Sequence, residues 1–394
     1  MSHLSVQQSA LARLSPMMLA RISVACAAIA AVWLTVATMH SEVIALAAAT
    51  GMAVSGYAGR VLAGQRCAAA IEWGLAGCGI LAEFAVYAGI STAADLHPGA
   101  QLGVAGNSVS GTFIATFGGA GTAGIWRLAT IAVILTLLTA TTDVCVHGPA
   151  LSGTRLWLFG PPGDVRLPFA CAALVLFGAR AAFLVVIVLG VVALGATIID
   201  GNKRGTDRGE LRGYRGDGRV GVWIGKWVEG KVPPWPPLVV GLLVTGVLAA
   251  LGLHNLSGIL LLTPVEAMLL ASLASWHPHD DRSDWIVPPL IQAAEYVFLA
   301  EIGYAGRVWP PLTFALVAVV GLRHLDLAYR VRGNLADGID RRGFGWEGRM
   351  IIAGVAAAFG IAPVAYAGLA IYLWWRVARD WIIGWSARHP AINR

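Results

Sequence analysis

Charge is what this sequence has least of. Lys, Arg, Asp and Glu make up 13% of the 394 residues, against 57% hydrophobic residues, and the mean hydropathy is +0.70. Soluble domains carry about 25% charged residues, so the chain lacks the polar surface needed to face water on all sides. It also lacks the alternating segments of about 10 residues that mark a membrane β-barrel. Its apolar runs are continuous and approach the roughly 20 residues that a membrane-crossing helix needs. They are rich in Ala and Gly, which let helices pack closely in lipid. The apolar stretch Ile22–Met39 is too long for a secretory signal core and has no convincing cleavage site; it reads as a first span. Metal-ligand cysteine spacing is absent too. Cys26, Cys67, Cys78, Cys145 and Cys171 stand in or beside apolar runs, as small core residues do. No cofactor is expected. The formal charge of +6 points to membrane topology, not to nucleic acid.

Lys and Arg are missing from Ser91–Ile125, which is therefore expected outside the cell membrane, and they collect where cytoplasmic loops would be. The main cluster lies in the loop Gly201–Pro236, with Lys203, Arg204, Arg208, Arg212, Arg215, Arg219, Lys226 and Lys231. A threading with both termini cytoplasmic gives spans near 20–40, 42–59, 68–90, 125–146, 167–178, 181–199, 237–253, 257–275, 285–306, 309–328, 350–360 and 363–385. Those at 167–178 and 350–360 are short, either half-spans or single arms of a tight hairpin. The fold class is all-α, polytopic, with about twelve transmembrane helices.

The two halves resemble one another. Glu72-Trp73 is followed by Ala82-Glu83-Phe84, and Asp284-Trp285 by Ala294-Glu295-Tyr296, at the same spacing. Phe177-Gly178 matches Phe359-Gly360, and Asp143 matches Asp326. Because both halves begin and end in the cytoplasm, the repeat is expected to be parallel. The expected layout is a membrane unit over 1–200, a basic cytoplasmic loop over 201–236 and a second membrane unit over 237–394.

The stretch Met52-Ala-Val-Ser-Gly-Tyr-Ala-Gly-Arg60, followed by Ile71-Glu-Trp-Gly-Leu75-Ala-Gly-Cys-Gly79, resembles the signature of the CDP-alcohol phosphotransferases, D-x-x-D-G-x-x-A-R then G-x-x-x-D-x-x-x-D. Gly56 and Arg60 keep the family residues. Met52, Ser55, Leu75 and Gly79 stand where the four Asp belong. In that family the Asp hold divalent metal, a hard cation that prefers oxygen ligands, and the last serves as the base. Glu72 lies on another helical face from Leu75 and Gly79, and Glu83 is a full turn beyond them. The second half is similar to an uncharacterised membrane domain found after phosphotransferase domains, on Arg323-His324-Leu-Asp326-Leu-Ala-Tyr329-Arg330 and Gly345-Trp-Glu347-Gly-Arg349. Its matching positions near Val265, Ala267, Val287 and Ile291 are apolar, with Glu266 close by. The resemblance implies two tandem six-helix units, an internal pseudo-dimer where relatives form homodimers, no metal site and no transferase activity.

Candidate lipid- or substrate-binding residues are Glu295, Arg323, His324, Asp326, Arg330 and Arg349. An ionisable group within a span is expensive and is often functional; the alternative for Glu295 is a structural pair, for instance with Arg323 or His324. His324 offers a proton carrier and the arginines a phosphate grip, yet a positive-inside helix end explains the arginines equally. Glu266 and Glu301 lie nearer span ends. His277-Pro-His279-Asp280-Asp281 resembles a metal cluster but sits in a Pro-broken loop without a second ligand set. Asp337–Gly343 has the look of a transporter loop signature in the wrong place. In Arg219–Lys231, Val220, Val222, Trp223, Ile224, Trp227 and Val228 alternate with Gly and Lys, as in a segment lying on a membrane surface. The expected role is a non-catalytic lipid-binding, scaffold or partner subunit in envelope-lipid or glycolipid biosynthesis, in contact with membrane lipid and with a membrane-protein partner or a second copy. The alternatives are a six-plus-six transporter and an enzyme using an atypical second-half site.

Overall fold

A computed structural model describes residues 69–96, 121–147, 166–204, 215–251, 258–277, 284–332 and 344–386. Gly56, Arg60, both termini, His279–Asp281 and Asp337–Gly343 lie outside them. Among the described residues every regular element is helical, as the continuous apolar runs predict. Five helices among the described residues are long and apolar enough to cross a membrane: Gly79–Leu96, Ala123–Val146, Ala179–Asn202, Asp284–Ala305 and Pro310–Val331. The chain divides into two compact units, Met1–Ala140 with Pro149–Ala196, and Thr141–Gly148 with Thr197–Arg394.

The first unit is built on α1 (Ala69–Leu96), α3 (Arg166–Phe177) and the greater part of α2 (Gly121–His147) and α4 (Ala179–Arg204), whose C-terminal turns from Thr141 and Thr197 belong to the second unit. Trp126 donates from Nε1 to Asp95 Oδ2 at 3.1 Å, joining the start of α2 to the end of α1. Within α2 the hydroxyls of Thr130 and Thr139 donate to the carbonyls of Trp126 and Leu135, at 2.8 and 2.7 Å. That back-bonding satisfies polar groups an apolar helix cannot otherwise serve. Tyr87 of α1 meets Phe183 of α4 edge to face, centroids 5.8 Å apart. Gly190 lets α4 approach α2: a Cβ there would stand 3.0 Å from the Leu135 Cβ. The outer side of α4 keeps Val188 and Val191 more than half exposed, a surface suited to lipid.

The second unit holds α5 (Arg219–Val228), α6 (Trp235–Leu251), α7 (Thr263–Leu269), α8 (Val287–Ala305), α9 (Pro310–Arg332), α10 (Gly345–Ala358) and α11 (Ala362–Ser386). The expected span at 257–275 is broken into the 3₁₀ turn Gly258–Leu262, α7, and a second 3₁₀ turn, Leu270–Ala274. The sequence explains the first break. Pro264 has no N–H to extend a helix running in from Gly258, so a fresh α-helix opens at Thr263 with the proline in its first turn. Pro288 and Pro289 likewise sit in the first turn of α8. α8 packs on α9 and α10, and α9 on α11. Tyr366 of α11 donates to the Leu299 carbonyl at 2.6 Å, and Gly303 fits against Thr313, where a Cβ would come within 2.6 Å of Oγ1.

α3 and α10, with 12 and 14 residues, extend only about 18 and 21 Å, short of the roughly 30 Å of a hydrocarbon core. Both end on Phe-Gly, with Gly178 at φ 90° and Gly360 at φ 72°. Phe177 and Phe359 are exposed at these turns. The second turn satisfies its own donors, Gly360 N–H on Ala357 O at 3.0 Å and Ile361 N–H on Ala356 O at 2.8 Å, in the manner of glycine-terminated helices.

α5 is docked through its glycines. Its N-cap residue is Gly218, which has no side chain to cap with. Glu347 of α10 does so instead, Oε1 accepting the Gly221 N–H at 2.8 Å. A Cβ on Gly225 would lie 1.9 Å from Ser275 Oγ, and one on Gly218 2.3 Å from the Phe344 carbonyl oxygen. Trp346 Nε1 and Arg215 Nε each donate to Asp217, both at 2.8 Å. Burial pushes the Glu347 carboxyl above its ordinary value; the N–H of Gly221 pulls it partly back, the Asp217 charge adds to the rise, and the N–H of Gly218 opposes it. A raised acid favours the protonated fold, so its stabilisation is full below the unfolded value and is lost as pH rises through the folded one. Glu347→Gln keeps an acceptor without a charge. Thermal unfolding followed between about pH 4.5 and 7 should therefore show a flatter pH dependence for this variant. Glu347→Ala, which strands the Gly221 N–H, should lose about 1–3 kcal/mol across that range.

Candidate functional site

The six candidate residues fall into two networks on opposite sides of α9. The first is buried between α8, α9 and α10. Glu295 of α8 and Arg349 of α10 form a bidentate pair, with Nε 2.5 Å from Oε1 and Nη2 2.9 Å from Oε2. Both side chains are almost wholly buried, at 0% and 3% exposure. His324 of α9 places Nε2 3.0 Å from Arg349 Nη2 and 3.3 Å from Glu295 Oε2. Its Nδ1 lies 2.7 Å from the Tyr296 hydroxyl. A guanidinium only donates, so accepting from Arg349 at Nε2 leaves the ring hydrogen on Nδ1, directed at the Tyr296 oxygen. Arg349, not Arg323, is thus the arginine partner of Glu295.

The second network lies at the other side of α9. Arg330 Nε stands 2.9 and 3.0 Å from the two Asp326 oxygens. Arg323 bridges Asp326 at 3.2 Å and Asp380 of α11 at 2.7 Å, and Arg376 lies 3.8 Å from Asp380. The sequence suggests a helix end at Arg323–Asp326, but α9 continues to Arg332. That continuation separates His324 from its neighbours, because adjacent helical positions point about 100° apart. Glu266 is exposed and Glu301 half-buried.

The first unit carries a counterpart. Glu83 of α1, fully buried, accepts from the Tyr87 hydroxyl and from Thr136 of α2 at 3.1 Å. Arg166, at the start of α3, lies 3.6 Å from its other oxygen. Gly79 stands on the same helix as Glu83, while the side chain of Trp73 lies outside the described residues. Sequence reasoning missed Arg166, Tyr296, Arg376 and Asp380. Two signals were available: Arg376 and Asp380 are four residues apart on one helix, and Arg166 and Arg349 each precede Phe-Gly by about three helical turns.

Chemically the two networks of the second unit are closed arrangements. The oxygens of Glu295 and Asp326 face guanidinium N–H groups, and among the described residues no three His, Cys, Asp or Glu side chains gather as a metal ligand set. Residues 210–392 match a family described as a family of unknown function (DUF5941). This match takes in α5 to α11 and every candidate residue from Glu295 to Arg349. No curated protein and no solved structure matches the chain.

The two networks should differ in what they hold. Arg349→Gln strands a buried carboxylate and should cost roughly 3–5 kcal/mol. Arg330, whose side chain is 31% exposed, leaves Arg323 on Asp326 when changed to Gln, and that variant should cost about 1 kcal/mol or less. Unfolding of the purified variants in one detergent, side by side, measures both.

Proposed function

We propose that this chain is a catalytically degenerate, CDP-alcohol-phosphotransferase-like membrane protein that serves as a lipid-binding or scaffold subunit in envelope-lipid or glycolipid biosynthesis. Two tandem six-span units, about twelve spans in all, make up the proposed architecture. The observation that carries the reading is the state of the carboxylates. Four family Asp positions hold Met52, Ser55, Leu75 and Gly79, and two buried acids of the second unit, Glu295 and Asp326, are taken up by arginines. Transfer of a substituted phosphate from CDP requires neutralising the charge that develops on CMP, which metal does in such enzymes. A carboxylate already neutralised by a bidentate arginine is a poor ligand for that metal.

The tandem reading is supported by matching local plans. In each unit a long helix contributes one buried Glu (Glu83, Glu295), and the first turns of a short helix contribute its Arg (Arg166, Arg349). Each short helix then ends on Phe-Gly with a left-handed glycine and passes directly into a long helix, α4 or α11. The copies have diverged around the pair: Tyr87 and Thr136 attend the first Glu, His324 the second.

Purified protein given magnesium or manganese, a CDP-activated lipid and an acceptor alcohol should release no CMP above the background without protein. Removing one well-placed electrostatic group commonly slows an enzyme roughly 100- to 1,000-fold, and here a whole ligand set is replaced. Metal-dependent CMP release that Glu295→Gln or Asp326→Asn abolishes would overturn the reading and establish an active second unit.

A further inference from the structure

We infer that the outer face of α5 is a lipid-docking surface, lying in the headgroup region of a leaflet that contains anionic phospholipid. The inference rests on the membrane reading of the chain and is independent of whether the protein transfers phosphate.

The inner face of α5 is fixed by contact. Gly221 and Gly225 are buried against Ser272, Ser275 and Glu347, with no room for a Cβ at Gly225. This forces the large residues outward. Val220, Trp223 and Trp227, spaced three and four residues apart, form one stripe with exposures of 38%, 57% and 76%. The two indoles lie against each other, centroids 5.0 Å apart. A surface stripe of this size in water is unfavourable, whereas an indole, apolar with one N–H, is at home at the membrane–water boundary.

Charge selects the kind of membrane. Arg219 and Lys226 are exposed on the same short helix, and Lys226 Nζ stands 5.8 Å from the centre of the half-exposed Trp276 ring. Lys231 follows, 76% exposed, in a solvent-facing ion pair with Glu229 at 2.8 Å. Across Gly201–Pro236 eight Lys and Arg face four Asp and Glu. Basic residues beside tryptophans at a leaflet surface favour anionic headgroups. Chain geometry agrees with this location. α5 ends at Val228 and the apolar helix Trp235–Val247 begins seven residues later, so α5 sits close to where the chain enters an apolar phase. Its glycine contacts tie it to the body of the second unit.

The test uses the full-length protein with a nitroxide on Val220→Cys, which leaves both tryptophans in place, with the unsubstituted protein as the labelling control. It is reconstituted in nanodiscs of phosphatidylcholine alone and of phosphatidylcholine with phosphatidylglycerol. Collision with oxygen, which partitions into lipid, is compared with collision with a water-soluble nickel chelate. The expected result is a label immersed about 5–10 Å, with the oxygen-to-nickel ratio several-fold higher in the phosphatidylglycerol discs. Trp223→Ser/Trp227→Ser should lower that ratio in both discs, and Lys226→Gln/Lys231→Gln should remove the difference between them. A label freely reached by nickel in both discs overturns the proposal in favour of a solvated helix. Protection from both collision partners overturns it in favour of a protein partner covering this face. Equal immersion in both discs overturns the anionic preference. None of these outcomes bears on CMP release, so failure here and failure of the proposed function are separable.

Discussion

A charge taken out of water has to find its opposite, and in the second unit that requirement organises everything around α8. Glu295 has no exposed surface, and a carboxylate so placed is tolerable only with a partner that neutralises it and fills its lone pairs. Arg349 does both through a two-point contact. Because the two residues lie on different helices, the pair fixes the height of α10 against α8, and His324 brings α9 into the same register. α10 is short and buries Trp346, Met350 and Ala353; to that packing the ion pair adds a polar contact of defined geometry. The first turn of α10 in turn carries Glu347, which caps α5. The chain of dependence therefore runs from one ion pair to the surface helix.

The same constraint explains why these residues look like a site and are better understood as a lock. Ionisable residues inside membrane helices often mark transport or catalysis, but such groups keep a coordination position or a proton open. Here the carboxylate oxygens face guanidinium groups, and the histidine ring bridges arginine and tyrosine. The Glu83–Arg166 arrangement in the first unit has the same composition with looser geometry, 3.6 Å against a two-point contact. The two units thus share a Glu-to-Arg plan with different attendants.

The helical class was legible in the sequence because lipid demands long, uncharged, internally hydrogen-bonded segments, and several of the proposed spans coincide with helices to within a few residues. The stretch 257–275 was not, since its hydropathy is that of a span while Pro264 denies it a continuous ladder. Glu295 stood out as an acid near the middle of an apolar run. Its partner did not, because Arg349 lies 54 residues away among loop-like basic residues that a positive-inside pattern explains equally well. Likewise the helical period alone separates His324 from Arg323, but only once α9 is known to run unbroken to Arg332. The tryptophans of α5 announced a surface segment, while the role of its glycines depended on Ser275 and Phe344, residues brought in from elsewhere in the chain.

A double-mutant cycle on the ion pair tests the central claim most directly. Glu295→Met and Arg349→Met are made singly and together in the full-length protein, and unfolding is measured in the same detergent. If the pair is a structural lock, each single variant strands a buried charge and loses roughly 3–5 kcal/mol, while the double variant recovers most of that loss because neither charge remains. Additive losses, with the double variant as unstable as the sum of the singles, would contradict the account and show that Glu295 and Arg349 act independently of one another.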